Sequence, residues 1–352
     1  MRRVSRIAVA GAASAALALS VAACGGTSSE SAKSTGSKGE EKGLAIAYDV
    51  GGKGDQSFND AAYAGLERAE KEFGKQVQDV EPNDGESDAD KAQRLSELAK
   101  QGYNPVIGIG FAYANAVKDA AAKNPKTTFG IVDDETVKAD NVADLVFSEQ
   151  EGSYLAGVAA AKTTKSNVVG FVGGVETPLI KKFQAGFEQG VADTNSKVKV
   201  RSTFLTQPPN FDGFSKPDLG KAAAEGMIDD KADVIYHAAG LAGQGAIEAA
   251  TADKKWAIGV DSDQYNQKAL AAHKDYILTS VTKGVADAVY NLAKSVEDGK
   301  PLSGVQRFDL KSGGVGLADS NPKFTAMKDV QDAVAKAAEG IKSGEIKVKT
   351  TP

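Results

Sequence analysis

The chain has 352 residues, of which 41% are hydrophobic and 25% charged, and its 42 basic and 47 acidic side chains give a formal net charge of −5. Those values exclude a disordered or fibrous polypeptide and leave room for a large core in about two domains. No basic stretch forms a nucleic-acid footprint, and with one cysteine (Cys24) and two histidines (His237 and His273) neither an internal disulfide, a thiolate zinc site nor a histidine-rich metal centre is expected.

Residues 1–23 read as an export signal. Arg2, Arg3 and Arg6 form its positive start, and residues 7–19 are an apolar run too short to remain across a bilayer. Val21-Ala22-Ala23-Cys24-Gly25 has the form of a lipobox, in which small residues precede a cysteine that is lipidated, so Cys24 is the expected lipidation site. Residues 24–42, rich in Gly, Ser, Thr, Lys and Glu, read as a flexible tether. The expectation is a body held by lipid at the extracytoplasmic face of a cell membrane.

From Leu44 onward short β-rich runs alternate with helical patterns. The patterning predicts strands at 44–49, 77–81, 105–110, 127–132, 143–147, 168–173, 198–205, 233–238, 256–260 and 276–281. Continuous apolar runs such as Val168-Val169-Gly170-Phe171-Val172 are those of strands buried on both faces. Helices are predicted at 58–73, 87–101, 112–124, 150–163, 177–193, 218–229, 242–253, 284–298 and about 324–343. The alternation predicts an α/β fold of parallel sheets with helices on both faces. So many strands favour two α/β domains over one sheet.

Ligands of such sheets bind beyond the carboxyl ends of the strands, so the strand-to-helix junctions are the places to search. The first, Tyr48 to Asp60, has a glycine-rich loop, an acid (Asp49) at the strand end, and Ser57 with Asp60 as a capping pair that starts a helix near Phe58 and Asn59. It lacks the Gly-Lys-Ser/Thr ending of a phosphate cradle. Asn115 stands at the start of the next helix after Gly108 to Phe111. Phe211 and Phe214 lie in a Pro/Gly-rich loop over 206–217. His237-Ala238-Ala239-Gly240 lets main-chain N–H groups approach a ligand closely, and His237, with no nucleophile beside it, reads as structural. Asp261 closes a strand and can accept from both hydroxyls of a vicinal diol. Lys283 closes the next one, placed either to pair with Asp261 or to donate to a sugar oxygen.

Together these junctions resemble one family. The lipobox, D-x-G-G-x-x-D-x-S-F-N (Asp49 to Asn59), F-x-x-x-E-G-S-Y-L-A-G (Phe147 to Gly157), H-A-A-G (His237 to Gly240), I-G-V-D-S-D-Q (Ile258 to Gln264) and T-S-x-x-K (Thr279 to Lys283) occur in order along the whole body. They resemble the basic membrane protein family of bacterial lipoproteins, whose best-understood members are purine nucleoside receptors.

The resemblance implies a type I periplasmic-binding-protein fold: two doubly wound α/β lobes joined by crossovers, closing on a ligand and delivering it to the permease subunits of an ABC importer. The N-terminal lobe is expected at 43–148 plus about 279–310, and the C-terminal lobe at 149–278 plus about 311–352. By position, Phe58 matches the aromatic stacking on one face of the base, and Phe214, with Phe211 as the alternative, the aromatic on the other. Asp49 and Asn59 match polar positions near the base, Asp261 and Lys283 the pair that holds the ribose, and Gly240 a main-chain contact. Asn115 falls where purine nucleoside receptors carry a carboxylate. The expected protein is a receptor without cofactor or metal, not an enzyme, with a nucleoside as ligand and no nucleic-acid partner. The other readings weighed are a receptor for riboflavin or another aromatic or polyol ligand, a surface regulator that has lost transport, and a nucleoside hydrolase. Against the last, Gly51 stands where a paired calcium-binding aspartate is needed.

Overall fold

The computed structural model describes residues 41–352 other than residue 84. The expected signal at 1–23, Cys24 and nearly all of the expected tether lie outside the described residues. The first strand, β1 (Lys42–Ala47), already includes Lys42, and the Glu41 carbonyl accepts from the Gln76 amide at 3.0 Å. Main-chain pairing thus orders the last residues of the segment expected to be tether, although their side chains carry no apolar signal.

The chain continues through α1 (Phe58–Phe73), β2 (Gln76–Val80), α2 (Asp88–Lys100), β3 (Val106–Gly108), α3 (Ala114–Lys123), β4 (Phe129–Val132) and β5 (Val142–Phe147). Then come α4 (Glu149–Thr163), β6 (Val168–Val175), α5 (Pro178–Thr194), β7 (Lys199–Thr206), α6 (Pro217–Asp229), β8 (Val234–Ala238), α7 (Ala242–Ala252), β9 (Trp256–Asp261) and β10 (Ile277–Lys283). The last elements are α8 (Val285–Glu297), β11 (Gly304–Phe308), β12 (Val315–Leu317), α9 (Pro322–Thr325) and α10 (Lys328–Ser343). The final predicted helix is therefore broken in two at 326–327, and β11 and β12 were not expected. Both are short edge strands; β11 is half-exposed and polar at Gln306 and Arg307, so it lacks the buried apolar run that marks the others.

The strands form two six-stranded sheets, ordered β11-β5-β4-β3-β1-β2 and β12-β10-β9-β8-β6-β7. All neighbours run parallel except β12, which is antiparallel to β10. Helices cover both faces of each sheet, which is why the inner strands are mostly apolar along their length. The pair α1 and α8 covers one face of the first sheet and α2 with α3 the other; α4 with α5, and α6 with α7, do the same for the second. The chain crosses between sheets at Ser148, at Gly284, and between Phe308 and Val315. The second crossing differs from the expected return at about 279. Residues 279–282 stay in register with β9, so the second lobe keeps the strand to its end at Lys283.

Candidate functional site

Both sheets turn their carboxyl strand ends toward one cavity between the lobes, lined by aromatic and charged side chains from both. The first lobe supplies Asp49 and Val50 after β1, Phe58 and Asn59 on the first turn of α1, Phe111 after β3 and Asp133 after β4. The second supplies Phe183 from α5, Phe214 after β7, Gly240 after β8, Asp261 at the end of β9 and Lys283 at the end of β10.

The start of α1 is built differently from the expected capping pair. Asp55, not Ser57, caps the helix: its carboxylate accepts from the main-chain N–H of Ser57, Asn59 and Asp60 at 2.9, 2.8 and 3.1 Å, and from Asn59 Nδ2 at 3.0 Å. Asp60 folds back to accept from Gly54 N and Gln56 N. The Ser57 hydroxyl is thereby released to donate to Asp261 Oδ2 at 2.6 Å across the cleft. Asn59 is buried and accepts from the Asp49 amide at 3.0 Å, which fixes the turn that aims Asp49 inward.

Asp49 itself accepts from Val50 N at 2.8 Å, and burial pushes its pKa up to about 6. It fits because residue 110 is glycine. A Cβ there would stand 2.0 Å from Asp49 Oδ2, and the φ of +98° at Gly110 is a conformation other residues rarely adopt.

At the other end Lys283 is fully enclosed. Its Nζ donates to Asp133 Oδ2 at 2.6 Å and lies 3.3 Å from Glu149 Oε1. The rings of Phe147, Phe58 and Phe183 surround it at 5.0, 5.1 and 5.7 Å from their centroids. Burial works against the ammonium, but the carboxylates of Asp133, Glu149 and Asp261 outweigh it and hold the pKa above the ordinary lysine value. Burial likewise raises Asp261 and Asp133 above the usual carboxylate range, against the pull of Lys283. Of the two roles open to Lys283 in the sequence, a direct pairing with Asp261 is not formed: Lys283 pairs with Asp133 and Glu149, and the charge of Asp261 reaches it only at longer range. Asp133 Oδ1 is buried with no hydrogen-bond partner in the described residues and belongs to a side chain that lines the cavity.

The structure thus brings Asp49, Phe58, Asn59, Phe214, Gly240, Asp261 and Lys283 together, and leaves Asn115 out. Asn115 is exposed on α3 and donates to Asp88 Oδ2 at 2.8 Å. It is the first turn of a surface helix, set back from the strand end that faces the cavity. Beside Asp55, one further carboxylate that lines the cavity is Asp133. Sequence reasoning passed over it, although it closes a predicted strand just as Asp49 and Asp261 do. Phe214 lines the cavity whereas Phe211 lies outside it, against Phe111 with ring centroids 6.1 Å apart. Phe183, in the middle of a predicted helix, and Asp55 had no strand-end signal to expose them. His237 is buried and bonded to Gln264 Oε1 at 2.9 Å, and burial lowers its pKa to about 4, so it is a neutral part of the core.

The lobes touch directly at the base of the cleft. Ser262 Oγ donates to the Ser57 carbonyl at 2.8 Å, and Gln264 Nε2 donates to the Gln56 carbonyl at 3.1 Å. Two α/β lobes with three crossings and a shared cavity between their strand ends define a solute-binding protein of the periplasmic-binding-protein type. Residues 43–351 match Bmp, described as ABC transporter substrate-binding protein PnrA-like, and the chain belongs to this family.

It is 35% identical over 345 residues to the ABC transporter nucleoside-binding protein BmpA of Lactococcus lactis, covering 94% of this chain and 95% of that protein. An uncharacterized lipoprotein of Pyrococcus abyssi is 33% identical over 313 residues, covering 85% of this chain and 73% of its own length. A solved ABC transporter solute-binding protein of Aeropyrum pernix K1 superposes with a TM-score of 0.76 at 28% identity, over 88% of this chain and 93% of that one. The protein is an ABC transporter substrate-binding protein, whose work requires a small-molecule ligand and permease subunits. Among the described residues no helix is long and apolar enough to cross a membrane.

Proposed function

We propose that the protein is a lipid-anchored receptor on the extracytoplasmic face of the cell membrane, which binds a nucleoside and hands it to an ABC importer. The observation that carries this reading is the sharing of one cavity by two phenylalanines from opposite lobes, Phe58 and Phe214, with Asp261 and Lys283 at its inner end. A nucleoside is a flat π-surface joined to a diol. Each stacked ring contributes about 1–3 kcal/mol by the precedent of single-stranded nucleic acids. Asp261 accepts from the ribose hydroxyls, Lys283 donates its remaining N–H to a ribose oxygen, and Asp49, held by Asn59, meets the edge of the base. Gly240 offers its main chain. Because the rings come from different lobes, the site is complete only when the cleft is shut, so ligand binding and closure are one event. Cys24 is the anchor in this reading, by the lipobox before it.

Calorimetry of residues 40–352 against purine and pyrimidine nucleosides, free bases, nucleotides and riboflavin tests the reading. At least one nucleoside is expected to bind and to be recovered intact by chromatography. A panel in which no nucleoside binds, or in which one is consumed, overturns it.

A further inference from the structure

The cavity adjoins a second cleft near Asp49 and is closed off around Lys283. Asp49 and Val50 line both the cavity and a larger outer cleft of about 1,620 Å³ between the lobes. Gly51 and Glu81 wall that cleft on the first lobe, and Phe211, Asp212 and Lys216 on the second. Phe111 of the cavity and Phe211 of the cleft pack against each other between the two, their rings tilted 48° to one another, so a ligand reaching from one to the other must move them apart. On the closed side Lys283 Nζ sits between Asp133 and Glu149, next to the crossings at Ser148 and Gly284, with its side chain only 3% exposed. The site therefore has a closed polar side at Lys283 and a side at Asp49 and Val50 that borders the outer cleft.

We infer that the outer cleft is a second subsite, which takes substituents carried on the base, so that the substrate class extends to nucleosides with enlarged bases. The inference rests on the nucleoside reading, which puts the sugar at Asp261 and Lys283 and the base edge at Asp49. A chain on the base is then directed past Val50 toward the outer cleft, whereas a chain on the sugar meets the enclosed Lys283 side. The cleft also selects by charge. Asp212 is exposed there and Glu81 reaches over the loop at Gly52, its Oε2 accepting from Lys53 N at 3.2 Å. The acids of the lining outnumber Lys91 and Lys216, so a substituent ending in an ammonium is favoured over a neutral one.

The test is calorimetry on the mature chain with four probes: the best-binding unsubstituted nucleoside, the same nucleoside with an aminohexyl chain on the base, its neutral hexyl analogue, and the 5′-aminohexyl isomer. The base-extended ligands are expected to bind within about tenfold of the parent, the ammonium form more tightly than the neutral one, and the 5′-extended isomer more than about a hundredfold more weakly. The advantage of the ammonium form should vanish in the double variant Glu81→Gln, Asp212→Asn. Lys216→Trp, which fills the outer cleft, should weaken the base-extended ligands at least about tenfold and leave the parent within about twofold. If the parent binds but base extension is lost as severely as 5′ extension, or Lys216→Trp affects all probes alike, the subsite is refuted while the nucleoside reading stands. If the parent itself does not bind, both fall.

Discussion

Asp261 has a φ of +64°, a left-handed conformation that aspartate and asparagine tolerate better than alanine, so the informative change is Asp261→Asn. It keeps one acceptor oxygen and removes the charge. Nucleoside affinity should fall about tenfold to a hundredfold, the worth of a charged hydrogen bond, while a free base stays within about twofold. Equal losses for both would refute the sugar assignment. Lys283→Met leaves Asp133 and Glu149 buried without their cation and should lower unfolding stability by about 3–5 kcal/mol. Adding Asp133→Asn should recover part of that loss in urea unfolding. If the double variant is no more stable than the single one, the two side chains are not coupled.

Asp49 makes a pH prediction. Its pKa is raised to about 6, so the stability of its neutral form is fully present below about pH 4 and is lost as pH rises through about 6. Asp49→Asn, which can still accept from Val50 N, should therefore stabilise the protein at pH 7 more than at pH 4. The difference is about 1–2 kcal/mol after discounting for the part-exposed flank of the side chain. Urea midpoints at the two pH values, compared with the parent protein, check it; the opposite order would contradict the buried setting. At this scale the sequence revealed Asp49, Asp261 and Lys283, where chemistry coincides with a strand end, but not Asp133, which stands at a strand end without a recognisable motif around it. It misdirected at Asn115, because a helix start one turn beyond the strand end looks the same in one dimension. It concealed Glu149 and Phe183, which enter the site by tertiary packing of helices.

Two elements carry testable detail. Helix α1 is held at its start by Asp55, whose carboxylate takes three main-chain N–H groups. Asp55→Ala should cost about 1–2 kcal/mol and loosen Phe58 with it, so hydrogen exchange at the first turn of α1 should quicken. Unchanged exchange there would show that Ser57 or Asp60 can take over the cap. Helices α4 and α5 meet backbone to backbone. A Cβ at residue 190 would lie 2.1 Å from the Tyr154 carbonyl oxygen, and one at 186 equally close to that of Gln150. Gly190→Ala should destabilise by about 1–3 kcal/mol through overpacking, despite the better helix propensity of alanine. A rise in melting temperature would mean that the helices can separate freely. The elements between 44 and 298 were legible because two-sided burial imposes long apolar runs and helices keep their period. The edge strands β11 and β12 were not, because Gly304-Val305-Gln306-Arg307-Phe308 carries no apolar run and β12 spans only three residues.

For the whole molecule, the direct contacts between lobes predict that closure has its own stability. Ser262 Oγ donates across the cleft to the Ser57 carbonyl. Ser262→Ala should remove about 1 kcal/mol from the closed form and lower ligand affinity about fivefold through the smaller closed population. Small-angle scattering should then show a larger radius of gyration without ligand and the parental value at saturation. A weaker affinity with unchanged scattering would place the effect in the pocket and not in closure. The two-lobed architecture was foreseeable from the number of β-α units and from the order of the junction motifs. The position of the second crossing was not, because nothing in Thr279-Ser280-Val281-Thr282 distinguishes a strand that stays from one that leaves.

The order of the first sheet has a consequence for biosynthesis. Its outermost strand, β11, joins β5 only after the five parallel strands of the other sheet have been made. A chain made from its N-terminus therefore cannot complete the first sheet until about seven-eighths of it has been synthesised. Until then the β5 edge has no partner on its outer side, so a chain cut before residue 304 would leave the first lobe one strand short and that edge bare.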